Sequence, residues 1–242
     1  MKLAVISDIH SNLEAFTAVL EDIDKAAGVD DIFSLGDNIG YGADPEKVIN
    51  LLENRKIISV LGNHELALLD KNYLRDFNAN AKKALIQNSR MISKKSINII
   101  KSFNLYCVRY GCRFVHGLPP DSATKYITLT PFGILKTIME KLSQRICFVG
   151  HTHFLEITQL KKGVITRDKI TKKTISLDKE SRYIINAGSV GQPRDKDSRA
   201  KYLIWDSVSR KIEPRHVPYN NRLAAAKIMK AGIPEMYAMK LL

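Results

Sequence analysis

Five of the chain's six histidines fall in short motifs that also carry acids, an amide and glycines: Asp8-Ile9-His10, Gly62-Asn63-His64-Glu65, His116-Gly117 and Gly150-His151-Thr152-His153. Gly36-Asp37 adds an isolated carboxylate, and only His216 stands outside the pattern. Imidazole nitrogens, carboxylate oxygens and an amide oxygen together suit borderline divalent metal ions better than calcium, whose sites are built from oxygen. Taken one at a time the motifs carry little. Asp37 and Asn63 are ordinary turn formers, and His116 or His153 alone reads as a packed structural histidine. Their conjunction at the ends of strands is what argues for chemistry.

The elements that must deliver these residues follow from hydrophobic periodicity. Lys2 to Ser7 reads as a buried strand, Asp31 to Leu35 as a second and Lys56 to Leu61 as a third. Ser11 with Glu14 predicts a capping box ahead of Leu13, Phe16, Leu20 and Ile23 at helical spacing. Asp44 as N-cap and Pro45 in the first turn open a second helix through Val48, Ile49, Leu51 and Leu52. This alternation predicts a parallel sheet, with each motif just beyond the carboxyl end of a strand, where open α/β sheets place their ligands. From Asn78 to Phe103 the sequence is polar, Lys-rich and helically periodic with Ser93 as an internal N-cap, predicting two consecutive helices and a helical cap. Residues 104–116 read as a hairpin turning near Gly111, and a helix over 131–142 precedes the strand Ile146 to Val149. Short β-rich runs broken by Gly163 and the Gly188-Gly191-Pro193 loop then lead to a last helix over 220–230.

At 242 residues and 45% hydrophobic, the chain can bury a full core, and one domain over 1–242 is expected, with the cap as an insertion over 78–103. The N-terminal apolar run is too short for a signal-peptide core or a membrane span, so a cytoplasmic location and no membrane partner are expected. Cys107, Cys112 and Cys147 include no CxxC pair, which argues against a disulfide framework or a cysteine-ligated zinc and for packing. Residues 1–80 hold 7 Lys+Arg against 14 Asp+Glu, net −7, so the remaining 31 against 11 give +20 for residues 81–242. A solvated Lys-rich surface explains that balance, and attraction of nucleic acid or of phosphorylated substrates is the functional alternative. Tyr126, Phe132, Phe148 and Phe154 read as core packing, since aromatics are only 7% of the chain and do not interleave with basic residues.

Through Asp8-Ile9-His10, Gly36-Asp37, Gly62-Asn63-His64-Glu65, His116 and Gly150-His151-Thr152-His153, the sequence resembles the calcineurin-like metallophosphoesterases. Residues Asn186-Ala187-Gly188-Ser189-Val190-Gly191-Gln192-Pro193-Arg194 are similar to a C-terminal loop of the bacterial and archaeal branch whose members are described as predicted phosphodiesterases. The resemblance implies an α/β fold, a four-layer α-β-β-α sandwich of two β-sheets flanked by helices with a small helical cap, and a site at one end of the sandwich. It places Asp8, His10 and His153 on one divalent ion, Asn63, His116 and His151 on another, and Asp37 between both. Mn²⁺ is the first expectation, with Fe, Zn, Ni and Co ions also suited. Two ions roughly 3.5 to 4 Å apart can share a water, lower its pKa so that hydroxide exists near neutral pH, and clamp the phosphoryl oxygens. His64 is then expected as general acid or charge stabiliser for the leaving oxygen, with Asn63, Gln192 and Arg194 as substrate contacts. The phosphoprotein-phosphatase and diadenosine-tetraphosphatase branch continues Gly-Asp into Asp-Arg-Gly. Here Asn38-Ile39-Gly40-Tyr41-Gly42 stands without that arginine, which counts against those two activities although Asn63-His64-Glu65 is shared.

The implied function is metal-dependent hydrolysis of a phosphodiester or phosphomonoester in a small phosphorylated substrate. The basic second half leaves a nuclease as an alternative. A non-catalytic scaffold on the same fold is a third, against which intact Asp8, Asp37, Asn63 and His64 argue.

Overall fold

The computed structural model describes residues 1–171 and 173–242. β1 (Lys2–Ile6) is a continuous apolar run because it lies inside a sheet that is covered on both faces. It is followed by α1 (Leu13–Lys25), β2 (Val29–Ser34), α2 (Pro45–Asn54) and a short β3 (Ile58–Ser59). The three strands pair in parallel, as their alternation with helices predicts. Next come α3 (Asn63–Leu69), a 3-10 turn (Lys71–Asp76), α4 (Ala79–Ser89), α5 (Lys94–Lys101), the hairpin β4 (Tyr106–Arg109) and β5 (Cys112–Val115), α6 (Phe132–Lys141) and β6 (Ile146–Val149). The remainder is β7 (Leu155–Lys161), β8 (Val164–Lys169), β9 (Ile175–Ser176), β10 (Arg182–Ala187), β11 (Ala200–Asp206), β12 (Lys211–Val217), α7 (Asn221–Lys230) and α8 (Met236–Met239).

Two mixed sheets result, in the orders β3-β2-β1-β11-β12-β9 and β4-β5-β6-β10-β7-β8. Leu3, Val5, Phe33 and Leu35 of the first sheet meet Phe114, Phe148 and Ile185 of the second, and Trp205 completes this central core. On the outside, Phe16, Val19, Val48 and Leu52 seat α1 and α2 on the first sheet, while Leu135 and Met139 seat α6 on the second. This is the expected four-layer sandwich. No helix among the described residues is long and apolar enough to cross a membrane.

Local structure departs from expectation at three places. α1 is capped by Asn12, whose side chain accepts from Ala15 N at 3.1 Å, because Ser11 Oγ donates instead to Asn88 Oδ1 of α4 at 2.8 Å. The Gly62-Glu65 motif opens a helix, α3, in place of a plain loop, and α8 was not expected at all. Of the two helices in the 78–103 segment, α4 packs on α7 and α8 through Ala81, Ala84, Ala224, Ile228 and Tyr237, while α5 lies against α2.

Candidate metal centre

Loops that follow different strands are laced together by main-chain hydrogen bonds: Asp8 N to Gly36 O (3.1 Å), His10 N to Asp37 O (2.9 Å), Gly150 N to His116 O (2.8 Å) and Gly191 N to Asp8 O (3.0 Å). Five of the eleven non-glycine residues with left-handed φ in the described structure are donors here, namely Asp8, His10, Asp37, His151 and His153. Asp and His tolerate that region better than most residues, and it persists where surrounding contacts over-determine the backbone.

The lacing gathers two groups of donors. Asp8 Oδ1 lies 3.3 Å from His153 Nε2 and 3.7 Å from His10 Nε2, and the two imidazole nitrogens are 3.2 Å apart. His116 Nε2 lies 3.1 Å from His151 Nδ1 and 3.2 Å from Asn63 Oδ1. Asp37 Oδ2 stands between the groups, 3.3 Å from His116 Nε2 and 3.9 Å from His10 Nε2. All of these side chains except Asn63 are buried.

The far side of each ring decides whether cations fit. His10 Nδ1 donates to Ile39 O (3.0 Å), His116 Nδ1 to Leu35 O (2.9 Å), His151 Nε2 to Thr124 O (3.2 Å) and His153 Nδ1 to Gln192 O. A carbonyl can only accept, so these nitrogens carry ring protons, and in the neutral rings of His10, His151 and His153 the opposite nitrogens turn lone pairs inward, as His116 Nε2 does once its second proton has left. Lone pairs and carboxylate oxygens this close repel one another unless positive charge lies among them, and Asp8 Oδ1 has no hydrogen-bond partner among the described residues. The donors therefore fit divalent ions, and the carbonyls are the orienting partners that metal-binding histidines commonly keep behind them.

The calcineurin-like phosphoesterase superfamily domain matches residues 1–210. The chain belongs to this superfamily. An uncharacterised protein of Methanocaldococcus jannaschii is 33% identical to this phosphoesterase-family chain over 240 residues, 99% of the chain and 96% of that relative. The metallophosphoesterase of Sphaerobacter thermophilus has a solved structure with a TM-score of 0.84 at 31% identity, covering 100% of the chain and 98% of its own. A hypothetical protein of Pyrococcus horikoshii shares the fold with a TM-score of 0.82 at 17% identity, over 99% and 97% of the two chains.

The electrostatics of the family site are uneven. Burial, with His64 beside it, holds His10 well below the usual imidazole range; burial and Arg194 do the same for His153; and burial with His116 brings His151 down to about 3. His116 is the exception, because Asp37, Asp8 and Glu65 outweigh its burial and lift it to about 9. Burial opposes the charge on Asp37, yet His116 and His64 keep it well below the usual carboxylate range, while burial, with Asp37 adding to it, pushes Asp8 up to about 6. An ion entering near His116 must displace its proton, so loading releases acid.

Glu65 is the functional residue that motif reading undervalues. It is fully buried; its Oε1 accepts from Asn38 N (2.7 Å) and Ile39 N (3.3 Å), and its Oε2 from Gly62 N (2.8 Å) and Asp37 N (2.9 Å). One carboxylate thus pins the Asp37 loop to the start of α3. The available signal was its place three residues after the glycine that opens the helix, the returning half of a capping box.

His64 stands edge-on to Tyr41 and Phe77, its Nε2 3.9 Å from Asp37 Oδ2 and its buried Nδ1 without a partner. Burial brings its pKa down to about 4. Gly40 lies against this ring: with φ at 92°, a Cβ there would stand 2.1 Å from His64 Nδ1. Gly40→Ala is accordingly expected to displace the imidazole and lower turnover by about 10²-fold, a typical general acid–base contribution, while bound metal stays at the parental level. Elemental analysis and steady-state rates on one preparation test this, and a parental rate would contradict it.

The remaining expected residues divide. Arg194 Nη1 reaches His151 O at 3.5 Å, and its charge opposes protonation of His10, His64, His151 and His153. The Gln192 side chain is 2% exposed and donates to Tyr237 O at 3.3 Å, which fastens α8 to the loop. His216, outside the motifs, pairs with Asp197 Oδ2 at 3.0 Å. Phe148 is core, but Phe132 is 50% exposed under Arg167, and Tyr126 leaves the core to stack on His151 with ring centroids 3.7 Å apart.

Proposed function

We propose that the protein is a dinuclear metal-dependent phosphoesterase that hydrolyses a small phosphodiester or phosphomonoester. The position of Asp37 Oδ2 between two donor groups, 3.3 Å from His116 Nε2 and 3.9 Å from His10 Nε2, carries this reading. Asp8, His10 and His153 would hold one ion, Asn63, His116 and His151 the other, and Asp37 both. The donor mixture favours Mn²⁺, with Fe, Zn, Ni and Co ions also suited. Bound there, two ions supply an activated water and positive charge for attack on phosphorus.

The chain's own residues orient the ester and manage its leaving oxygen. Arg194 offers planar paired donors to non-bridging phosphate oxygens. A ring proton on His64 Nδ1 would be buried with no acceptor, whereas on Nε2 it faces the carboxylate of Asp37 and the site. His64 therefore donates from Nε2 toward the leaving oxygen as charge develops on it. The 3-10 turn Lys71–Asp76, just before the cap, and the first turn of α4 within it border the cleft beside Asn63 and His151 and would meet substrate there.

Elemental analysis is expected to find about two transition-metal ions per chain, with Mn²⁺-dependent hydrolysis of bis-p-nitrophenyl or p-nitrophenyl phosphate. Finding neither bound metal nor hydrolysis would sink the proposal. His64→Ala should keep the metal and lose about 10²- to 10⁴-fold in turnover. Equal rates would remove His64 from the reaction.

A further inference from the structure

A cleft of about 120 Å³ opens directly beside Asn63 and His151. Its walls are Tyr41, Tyr73, Phe77 and Tyr126, with Asp76 and Asn78 beside them. In a chain with 38 Lys+Arg, no lysine or arginine among the described residues lines it, Arg194 included. The aromatic walls are fixed before any ligand arrives. Tyr126 lies flat on His151, and Tyr41 is held between His10, His64 and Tyr237 at centroid separations of 4.4, 4.6 and 4.3 Å. None of the hydroxyls of Tyr41, Tyr73 and Tyr126 has a hydrogen-bond partner among the described residues.

We propose that this cleft receives the alcohol side of the ester and selects a leaving group that carries no negative charge and one six-membered ring, of phenyl or pyrimidine size. This rests on the phosphoesterase reading above, since the cleft gains that meaning only from the donors next to it. Size points the same way: an apolar cavity of about 150 Å³ takes up one benzene, so a single ring fills this cleft and anything larger projects into solvent. Charge excludes the main competitors. A leaving group that is itself a phosphate, or a continuing polynucleotide strand, needs cations along its path, as phosphate backbones do wherever proteins track them. Here it meets aromatic faces and the carboxylate of Asp76. The free tyrosine hydroxyls and the Asn78 amide offer polar ring substituents partners that a bare hydrocarbon would not use.

The test uses three matched esters, phenyl phosphate, 4-carboxyphenyl phosphate and 4-(trimethylammonio)phenyl phosphate, followed by release of inorganic phosphate from the Mn²⁺-loaded protein. They differ in the charge carried into the cleft and in leaving-group acidity, and the comparison with Asp76→Lys cancels the second difference. The phenyl ester should exceed the carboxyphenyl ester in kcat/KM by about fivefold, what two like unit charges roughly 4 Å apart in water are worth. Asp76→Lys, at an exposed position outside the donor set, should erase or invert that preference. Tyr73→Ala should lower kcat/KM for the phenyl ester by about tenfold, through lost stacking. Equal rates for the three esters that Asp76→Lys does not alter would overturn the proposal, and so would a preference for the carboxyphenyl ester. If none of the esters is hydrolysed, the cleft is judged apart from turnover, and the phosphoesterase reading has failed when bis-p-nitrophenyl phosphate is untouched as well. Saturation-transfer NMR of phenol and cytidine against the protein without metal should then show ring contacts that Tyr73→Ala abolishes, and absence of those contacts overturns the ring subsite.

Discussion

Asp37→Ala is expected to cut the bound metal from about two ions per chain to one or none and to lower phosphoester hydrolysis by about 10³-fold or more, beyond what losing a single transition-state contact usually costs. The reason is geometric. Asp8 Oδ1 faces His10 and His153 while its Oδ2 accepts from His151 N at 3.0 Å, whereas Asp37 Oδ2 stands within 3.3 Å of His116 Nε2 and 3.9 Å of both His10 and His64 Nε2. Its other oxygen, Oδ1, accepts from His64 N at 2.9 Å, so the same side chain also fixes the entry into α3. Gly62 packs so closely on that carboxylate that a Cβ there would lie 2.1 Å from Oδ1, which shows how little room the group has to move. Asp37→Asn keeps the shape and the oxygen that accepts from His64 N while removing the charge, and should retain the fold yet bind metal far more weakly than the parent. Asp8→Ala should disturb the group around His116 less than Asp37→Ala does, since there it removes only the acceptor of His151 N. Metal analysis after desalting, paired with rates on p-nitrophenyl phosphate, separates these outcomes. Two retained ions and an undiminished rate in Asp37→Ala would remove the bridging role.

What the sequence makes legible is what local physics determines. The apolar run of β1, the helical spacing of Phe16, Leu20 and Ile23, and the Ser93 cap of α5 reflect short-range constraints and occur as predicted. Motifs at strand ends are legible for the same reason, since a strand followed by a turn former exposes that residue at the edge of the sheet. What depends on partners far along the chain is not. Ser11 has the composition of an N-cap, but Asn88, 77 positions away, takes its hydroxyl and leaves Asn12 to cap α1. Gln192 sits on the predicted loop, yet only the fold supplies the carbonyl of Tyr237 in α8 to which its amide donates. Tyr126 has the composition of a core residue, and only the fold supplies the face of His151 on which it lies. The left-handed backbone at Asp8, His10, Asp37, His151 and His153 is imposed by hydrogen bonds between loops, which no spacing announces.

Glu65 is where such long-range constraint concentrates, and its replacement should be the most damaging change that leaves every donor in place. In Glu65→Gln one oxygen becomes an amide NH₂, which then faces two main-chain N–H groups, either those of Asn38 and Ile39 or those of Gly62 and Asp37. Two buried amides left unsatisfied at about 1 to 3 kcal/mol each give a loss of roughly 2 to 6 kcal/mol in stability. The loops must separate to admit water, and separation carries Asp37 away from His116. Metal affinity should fall by about 10- to 100-fold, the range found when residues that orient ligands are removed. Glu65→Asp keeps the charge but falls one methylene short, and should lose less stability than Glu65→Gln while still weakening metal binding. Urea unfolding of the metal-free chain measures the first effect and a metal titration the second. A Glu65→Gln variant that unfolds at the parental midpoint and binds metal equally well would mean that the Asp37 loop is held by its main-chain bonds to β1 alone. The left-handed φ of 52° at Asp37 argues against that outcome, because a strained turn relaxes once the contacts that impose it are gone.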